Sequence, residues 1–343
     1  MEQNKILEAL ESKLSGDMEK DYQFLIQEAN HFVKLGLNDL VTPILNLLEK
    51  RYGEDGKKFI INKAKATQDR RRNMYKEVVI HEQKKEYEKA QELIVKLIDT
   101  FPTKRNLSPE HKLVSFHNLF ENAYYEIAIN KGKQKLYKLE EPLTTYYFHL
   151  GYILFQMEDY EETVKMLDIG LQYNETSVDT IILKGEAYYH LGKIDSFLDN
   201  ITLALSHAYN RFHMANCYYQ LSRYYLSIGD KLVASACYHL SRNYVRSEQV
   251  DNLYNDIQLM AGESVDPSNL QQMKDTLDSR KIQFGPHPRV LSTLKRLVDD
   301  EKTKSNPRLM KYFLSIIFDL TRDPKVKEEL DKYLDFKPEE KNE

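Results

Sequence analysis

The sequence predicts an all-α protein built from helix pairs stacked one after another. Three observations support this fold class. The 343 residues include only 12 glycines and 10 prolines, which is few for an architecture rich in β-hairpins. A pattern of small and large apolar residues recurs every 34 residues, a length that fits one helical hairpin. No segment alternates between apolar and polar residues for long enough to predict a strand.

The composition is that of an ordinary folded protein. Hydrophobic residues make up 41% of the chain and charged residues 30%, and the formal net charge of −4 is too small to indicate a charged partner. No apolar run approaches the roughly 18–20 residues that span a bilayer, and the amino terminus lacks the apolar core of a signal peptide. Cys217 and Cys237 are the only cysteines, so they predict no disulfide framework. We therefore expect a cytoplasmic protein that does not bind membranes.

The repeat is clearest between residues 144 and 244. Two copies lie at 147–175 and 181–209, and a third follows at 217–244 after a three-residue insertion near 208–213. The equivalent residues of the first two copies are Gly151/Gly185, Leu154/Tyr188, Thr163/Phe197, Leu167/Ile201 and Gly170/Ala204, and the third copy carries Ser222, Tyr225, Gly229, Ala234, Tyr238 and Ser241 in the same roles.

These residues predict the packing inside each helical hairpin. Small residues such as Gly151 on the first helix and Gly170 on the second would let the two helices approach closely, while larger residues fill the space between them. A glycine or a polar residue stands where each first helix must end, in the turns 157–160, 191–194 and 228–231.

The pattern resembles the tetratricopeptide repeat (TPR) family, including the Leu150–Gly151 pair and the turn at Asp159–Tyr160. The close resemblance covers about residues 144–244. It implies a superhelical solenoid of antiparallel helix pairs, a fold that usually binds or scaffolds other proteins. We therefore divide the chain into degenerate TPR-like helical pairs at 1–142, clear repeats at 143–246 and a helical capping region at 247–343.

Weaker helix signals flank the clear repeats. Residues 25–48 resemble a degenerate repeat unit and 86–102 the second half of a repeat. Ser108–Pro109 predicts the start of a helix by an N-cap followed by proline. Downstream, three more cap-and-proline pairs predict helix starts, and an apolar stripe along 309–320 predicts an amphipathic helix. The loop 284–288 marks a break between helices, and we expect 337–343 to be a frayed tail. The three downstream pairs are Asp266–Pro267, Asn306–Pro307 and Asp323–Pro324.

The resemblance also implies where a partner would bind. In TPR solenoids the first helix of each pair lines the inner, concave surface. A mixture of aromatic, amide and single charged side chains suits an extended peptide or a partner helix, although several of these aromatic residues could instead pack between neighbouring helices. The implied groove residues are Phe148, His149, Tyr152 and Phe155 in the first repeat, Ile182, Glu186 and Tyr189 in the second, and Tyr219, Gln220 and Arg223 in the third.

One specialised TPR mode is not expected. The clamp that some TPR domains use for the carboxyl terminus of heat-shock proteins requires Lys, Asn and Arg at defined positions on the first helices. The matching positions carry Phe148, Tyr152, Leu183, Cys217 and Leu221, so the clamp is absent from the three clear repeats.

Other chemistry is weakly indicated. Residues 57–105 hold fourteen Lys or Arg against seven Asp or Glu, which gives this segment a charge of +7 and leaves −11 for the rest. Such a segment could contact nucleic acid, but a solvated helix face is the favoured interpretation because acidic residues are interspersed. The ten histidines show no metal-ligand spacing and no catalytic motif occurs, so we expect no enzyme, metal or cofactor.

Three functional hypotheses follow. The favoured one is a protein- or peptide-binding adaptor that uses its groove. The second is a peptide-sensing regulator similar to the Gram-positive receptors of the Rap and PlcR type, without a DNA-binding domain, because residues 1–60 show no helix-turn-helix reader. The third is a nucleic-acid binder through residues 57–105. The sequence does not predict an oligomeric state.

Overall fold

The chain is predominantly helical, as the sequence predicts. The computed structural model describes residues 2–35, 37–101 and 109–333. These residues belong to two compact units, one formed by Met1–Val114 with Lys133–Lys138 and the other by Ser115–Gly132 with Leu139–Glu343.

The first unit contains helices α1 to α5. The Asp17 side chain caps α2 by accepting a hydrogen bond from the Lys20 N–H, and the core of this unit is centred on the fully buried Leu25, Ile44 and Leu48. The segment 25–48, predicted as a degenerate unit, overlaps α2 and α3, and the predicted repeat half overlaps α5. The helices are α1 (Glu2–Glu11), α2 (Met18–Lys34), α3 (Val41–Tyr52), α4 (Glu54–Gln83) and α5 (Tyr87–Asp99), with a 3-10 turn at Asn38–Leu40.

Helix α4 is long because its two ends pack on different helices. Phe59 and Ile60 near its start contact the α2–α3 core, whereas Val78 near its end is buried where α4 packs on α5. Most side chains between residues 61 and 70 are exposed. Gly56 permits the close approach of α3, since a Cβ at this position would overlap the Leu48 carbonyl group.

A short parallel sheet in the first unit corrects one prediction. Strands β1 (His111–Val114) and β2 (Lys135–Lys138) pair in register from His111 with Lys135 to Val114 with Lys138. The helix start predicted at Ser108–Pro109 is wrong for the described part, because Pro109 lies in a turn that leads into β1; Ser108 is outside the described residues. Strand β1 has two half-buried residues followed by two buried ones. It therefore lacks the alternation of exposed and buried residues by which a strand is recognised in a sequence.

The second unit begins with a short helix and three helical hairpins. Helix α6 starts after the N-cap Asn118 and continues into a π-helical turn at Tyr125–Asn130. The hairpins follow with the boundaries that the repeat predicts. Their helices are α6 (Leu119–Tyr124), α7 (Leu143–Gln156), α8 (Tyr160–Tyr173), α9 (Val178–His190), α10 (Ile194–His207), α11 (Arg211–Ser227) and α12 (Lys231–Tyr244).

The packing inside the hairpins confirms the role of the small residues. A Cβ at Gly151 would overlap Leu167 of the partner helix, and a Cβ at Gly170 would lie 2.9 Å from Tyr147 Cβ. In the third hairpin the small residues are serines that also make hydrogen bonds across the pair. Ser222 donates to the Ala234 carbonyl at 2.7 Å and Ser241 donates to the Ala215 carbonyl at 2.8 Å.

Five helices complete the second unit. Asn306 and Asp323 are N-caps followed by proline, as predicted, and His287–Pro288 makes the same kind of start at the predicted break. The Asp266–Pro267 prediction is wrong, since Asp266 accepts hydrogen bonds from Ser268 in a turn and the helix begins later, at Leu270. The predicted tail 337–343 lies outside the described residues. The helices are α13 (Glu248–Leu259), α14 (Leu270–Asp278), α15 (Pro288–Thr303), α16 (Pro307–Thr321) and α17 (Pro324–Asp331).

The helices after α13 share a core with the hairpins. Val290 and Leu294 of α15, together with Phe313 of α16, belong to the same apolar cluster as Phe197 and Tyr218 of the second and third hairpins. The carboxyl-terminal helices therefore cover apolar surface that the hairpins would otherwise expose.

Candidate binding site

A cavity of about 480 Å³ lies in the second unit beside α9, α11 and the start of α13. Its lining combines polar and apolar residues, so the cavity can orient a ligand as well as bury part of it. The polar residues are Glu186, Asn216, Tyr219, Gln220, Arg223, Ser241 and Ser247, and the apolar ones, here called the apolar wall, are Phe212, Ala215, Val245 and Val250.

Helical spacing brings the predicted groove residues of the second and third hairpins, apart from Ile182, together here. Tyr219, Gln220 and Arg223 lie within two turns of α11, and Glu186 and Tyr189 are one turn apart on α9. Glu186, Tyr219, Gln220 and Arg223 line the cavity itself. Tyr189 borders a small crevice that shares Glu186, Gln220 and Arg223 with it.

The buried amide of Gln220 connects the two charged groups of the site. Its side chain is only 4% exposed. Nε2 donates to Glu186 Oε1 at 2.5 Å and contacts Asn216 Oδ1 at 3.3 Å, while Oε1 accepts from Arg223 Nη1 at 3.0 Å. Because both ends of the amide are engaged, its orientation is fixed.

The guanidinium of Arg223 is held next to two aromatic rings. Its Cζ lies 5.7 Å from the ring centroids of both Tyr189 and Tyr219. This distance is within the range of cation–π attraction. The rings and the bond to Gln220 together fix the position of the positive charge at the cavity.

Glu186 supplies the negative charge of the site. Burial of this carboxyl raises the pKa of Glu186, and the positive charge of Arg223 opposes that shift. A carboxylate in this environment is poorly solvated, so a ligand that donates a hydrogen bond to it would be favoured.

The predicted groove residues of the first hairpin do not reach the cavity. Phe148, His149, Tyr152 and Phe155 are half-buried on α7. The Phe155 ring packs edge-on against Tyr160 and His190, each at 5.3 Å between centroids. The Phe148 ring makes a similar contact with His149 at 5.5 Å. Phe155 therefore packs between neighbouring helices.

Ile182 is corrected in the same way. The resemblance to the repeat family implies a groove position for Ile182, but its side chain is 2% exposed and belongs to the main apolar core. An apolar residue facing the next hairpin gains more from burial than from exposure.

The apolar wall of the cavity was not predicted. Val245 and Val250 come from the α12–α13 connection and from α13, which lie at or beyond the end of the repeats. The only local signal was Ser247, a serine that caps α13 by accepting from the Val250 N–H. Phe212, at the start of α11, is 59% exposed, which is high for a large apolar side chain.

In the described part of the basic segment 57–105, Arg71 has a structural role. Arg71 Nε donates to Thr100 Oγ1 at 2.8 Å and Nη2 donates to the Thr100 carbonyl at 2.6 Å. Its Cζ lies 3.9 Å from the ring centroid of Phe101. Arg70 and Arg72 are exposed on either side. Arg71 thus anchors the end of α5 to α4. Its guanidinium is engaged in these contacts and is not directed to a phosphate group.

The remaining reactive groups show no metal-binding cluster in the described ranges. Burial raises the pKa of the Cys217 and Cys237 thiols far above the ordinary value, so both stay neutral. Among residues 2–35, 37–101 and 109–333, no three His, Cys, Asp or Glu side chains are grouped so that they could hold a metal ion. Within the same ranges every helix is too short or too polar to cross a bilayer.

Comparison with known proteins gives no assignment. No known family matches the chain, and no curated protein is significantly similar to it in sequence.

Proposed function

We propose that the chain is a TPR-like solenoid that acts as an adaptor or scaffold and binds a peptide or protein partner at the α9–α11 cavity. The observation that carries this proposal is the joint presence of Glu186, Gln220 and Arg223 at one cavity, connected by hydrogen bonds through Gln220. Opposite charges beside an apolar wall suit the main chain and side chains of a peptide.

The hairpin order supports the solenoid part of the proposal. Helices α7, α9 and α11 are the first members of three successive pairs, and α9 packs on both α7 and α11. This is the neighbour relation that stacked repeats require. Circular dichroism does not separate a solenoid from other helical folds, so small-angle scattering from the purified chain is the appropriate measurement.

Affinity purification tests the binding proposal. We expect wild-type protein to retain a partner from a lysate of its native host, and Arg223→Ala combined with Tyr219→Ala to retain at least ten times less. Arg296→Ala is the matched control, since Arg296 is exposed on α15. Equal retention by both variants, with far-UV circular dichroism unchanged, would contradict the proposal.

A second candidate is a peptide-sensing regulator of the Rap and PlcR type. The cavity favours it, because a volume of about 480 Å³ accommodates a few residues and not a folded domain. A short cognate peptide is then expected to raise the melting temperature and reduce the radius of gyration. An adaptor for a folded protein would show neither effect with short peptides.

A further inference from the structure

We propose that the outer edge of strand β2, the edge that faces away from β1, binds an extended acidic segment of a partner protein as a third strand. This surface belongs to the first unit and uses no residue of the α9–α11 cavity, so the inference goes beyond the proposed function and does not depend on it. Three features support it: main-chain groups on the edge, the fixed position of the strand and the lysine side chains beside it.

The main chain of Leu136 presents hydrogen-bonding groups on the outer edge of β2. The Lys135 N–H donates to the Glu110 carbonyl at 2.8 Å, which fixes the phase of the parallel ladder. Alternate residues of a parallel strand bond to one neighbour, so the main chain of Lys135 and Tyr137 faces β1 and that of Leu136 faces away. Among the described residues, the N–H and C=O of Leu136 have no hydrogen-bond partner. An added strand would pair with both groups.

Strand β2 is the more exposed member of the sheet. Leu113 and Val114 of β1 are buried, whereas Lys135 and Lys138 of β2 are exposed and Leu136 is half-buried. An exposed strand edge is a template for pairing with another chain. Several classes of binding protein recognise extended segments in this way, with main-chain hydrogen bonds for affinity and side chains for specificity.

The side chain of Tyr137 holds β2 in position. Its ring stacks on His111 of β1 at 5.2 Å between centroids, and its hydroxyl donates to Asp39 Oδ1 at 3.2 Å. The Lys135 Nζ lies 5.5 Å from the centroid of the same ring. Because these contacts order the strand before any partner arrives, less conformational entropy is lost on binding.

Lysine side chains determine which kind of strand can be added. Residues 133–138 contain three lysines and no acidic residue. Lys133 and Lys135 are exposed, and neither forms an ion pair within the described ranges. A second copy of the chain would place lysines beside lysines, and like charges on neighbouring strands disfavour pairing. Acidic side chains on the incoming strand would be attracted instead.

The two faces of the sheet specify the order of residues in the ligand. Side chains alternate along a strand, so Lys135 and Tyr137 lie on one face and Leu136 on the other. An added strand in which acidic and apolar residues alternate would place its carboxylates on the Lys135 face and its apolar side chains beside Leu136, whichever way it runs. We therefore expect the segment to alternate glutamate or aspartate with residues such as valine.

Fluorescence anisotropy at low salt tests the inference with the full chain and a labelled hexapeptide in which glutamate and valine alternate. Leu136→Pro removes the outward N–H but none of the groups that pair with β1, and an edge strand tolerates proline. We expect this variant to bind about fivefold more weakly or worse, the effect of one hydrogen bond. Leu136→Val, which keeps the N–H, is the matched control and is expected to bind like the wild type.

Charge reversal tests the role of the lysines. Lys135→Glu is expected to weaken binding of the same peptide, because it places a carboxylate beside the carboxylates of the ligand. Lys65→Glu makes the same change at an exposed lysine of α4 and is expected to have little effect. Equal weakening by the two variants would indicate attraction to the whole basic surface and would overturn the inference.

Methylated peptides test the main-chain pairing without changing the protein. The N–H groups of alternate residues point to opposite edges of an extended peptide, so methylation of all glutamate or of all valine nitrogens blocks one edge only. We expect one methylated peptide to lose binding and the other to keep it, and this result stands even if Leu136→Pro proves to be unfolded. Binding of both methylated peptides as tightly as the unmodified one would exclude strand addition.

Two further outcomes would also contradict the inference. One is the failure of the wild type to bind the unmodified alternating peptide. The other is a dimer of the wild type that Leu136→Pro dissociates in analytical ultracentrifugation, since this would assign the edge to a second copy of the chain. Neither result concerns the α9–α11 cavity, so the proposed function would be unaffected.

Discussion

Glu158 and Gly192 occupy equivalent turn positions in successive repeats and share a left-handed backbone, with φ of 63° and 70°. Gly229 takes the same conformation, at 81°, in the third repeat. Each residue follows the last turn of a first helix, where the chain must reverse to start the second. The glycines adopt this backbone without strain, whereas Glu158 places a Cβ in a region that L-residues disfavour.

Replacing Glu158 with glycine is therefore expected to stabilise the protein. The relief of left-handed strain, about 1–2 kcal/mol, exceeds the extra entropy that a glycine loses on folding, so we expect a net gain of about 0.5–1 kcal/mol in the free energy of unfolding. Urea denaturation followed by circular dichroism measures it. Gly192→Ala provides the converse control and is expected to lose about 1 kcal/mol. A destabilised Glu158→Gly would contradict the interpretation of this turn.

The hairpin glycines make a second prediction. Gly151 and Gly185 are repeat equivalents whose neighbours Leu167 and Ile201 are both buried. A Cβ at Gly151 would overlap Leu167 Cδ2, whereas a Cβ at Gly185 would lie 3.0 Å from Ile201 Cδ1. Gly151→Ala is expected to destabilise by about 1–3 kcal/mol through overpacking. For Gly185→Ala, the gain in helix propensity of about 1 kcal/mol is expected to offset the small clash with Ile201. Thermal unfolding of the two variants should place Gly151→Ala clearly lower, and equal melting temperatures would contradict this.

The same comparison explains how much the sequence could predict. The hairpin boundaries were predictable, because turn residues such as Gly192 and close-contact residues such as Gly151 are local signals that recur at a fixed spacing. Strand β1 was not, since its four residues are stabilised by pairing with β2 some twenty positions later, which no local pattern encodes.

The candidate site was predictable only in part. The resemblance to the repeat family implies groove positions for Tyr219, Gln220 and Arg223, and their spacing on α11 allows all three to lie near one cavity. The groove position predicted for Ile182 is wrong, and the sequence did not predict that Val245 lines the cavity, for the same reason. Exposure at a repeat position depends on how the next hairpin and the following loop pack on it, and this is set by tertiary contacts.

A buried carboxylate in the second unit carries a third prediction. Glu121 is 5% exposed and accepts hydrogen bonds from the His117 N–H at 3.0 Å, Asn174 Nδ2 at 2.8 Å and the Tyr209 hydroxyl at 2.9 Å. Glu121→Gln removes the charge and turns one acceptor into a donor facing other donors. We expect a loss of about 2–4 kcal/mol in the free energy of unfolding. Glu161→Gln, on the exposed side of α8, is the control and should change it by less than about 0.5 kcal/mol.

His207 predicts how stability depends on pH. It is 7% exposed, its Nδ1 lies 3.0 Å from the Tyr124 hydroxyl, and burial, followed by the charges of Arg289 and His287, lowers the pKa of His207 to about 4. In the unfolded chain the imidazole takes up its proton near pH 6.5, whereas in the folded chain it stays neutral until about pH 4. The folded state thus binds fewer protons, so stability is full above pH 6.5 and falls by about 3 kcal/mol as the pH drops to 4.

Urea denaturation of the wild type and of His207→Gln between pH 4 and 7.5 measures this contribution. Because the other titrating groups are common to both proteins, the difference between the two curves isolates the histidine. The wild type should lose more stability than the variant over this window. Parallel curves would show that His207 takes up its proton in the folded state as easily as in the unfolded one.

Arg71 separates a structural role of the basic segment from a nucleic-acid role. Because its guanidinium holds Thr100 through two hydrogen bonds and lies over Phe101, Arg71→Ala is expected to cost about 2 kcal/mol in the free energy of unfolding. Arg70→Ala, at an exposed neighbour, should change it by less than about 0.5 kcal/mol. In gel shifts at low salt we expect no complex with single-stranded or duplex nucleic acid, since acidic side chains offset the basic ones, as Glu19 does for Lys63 and Glu92 for Lys96. A salt-sensitive complex that weakens on Arg70→Ala without loss of stability would instead assign the exposed arginines to phosphate binding.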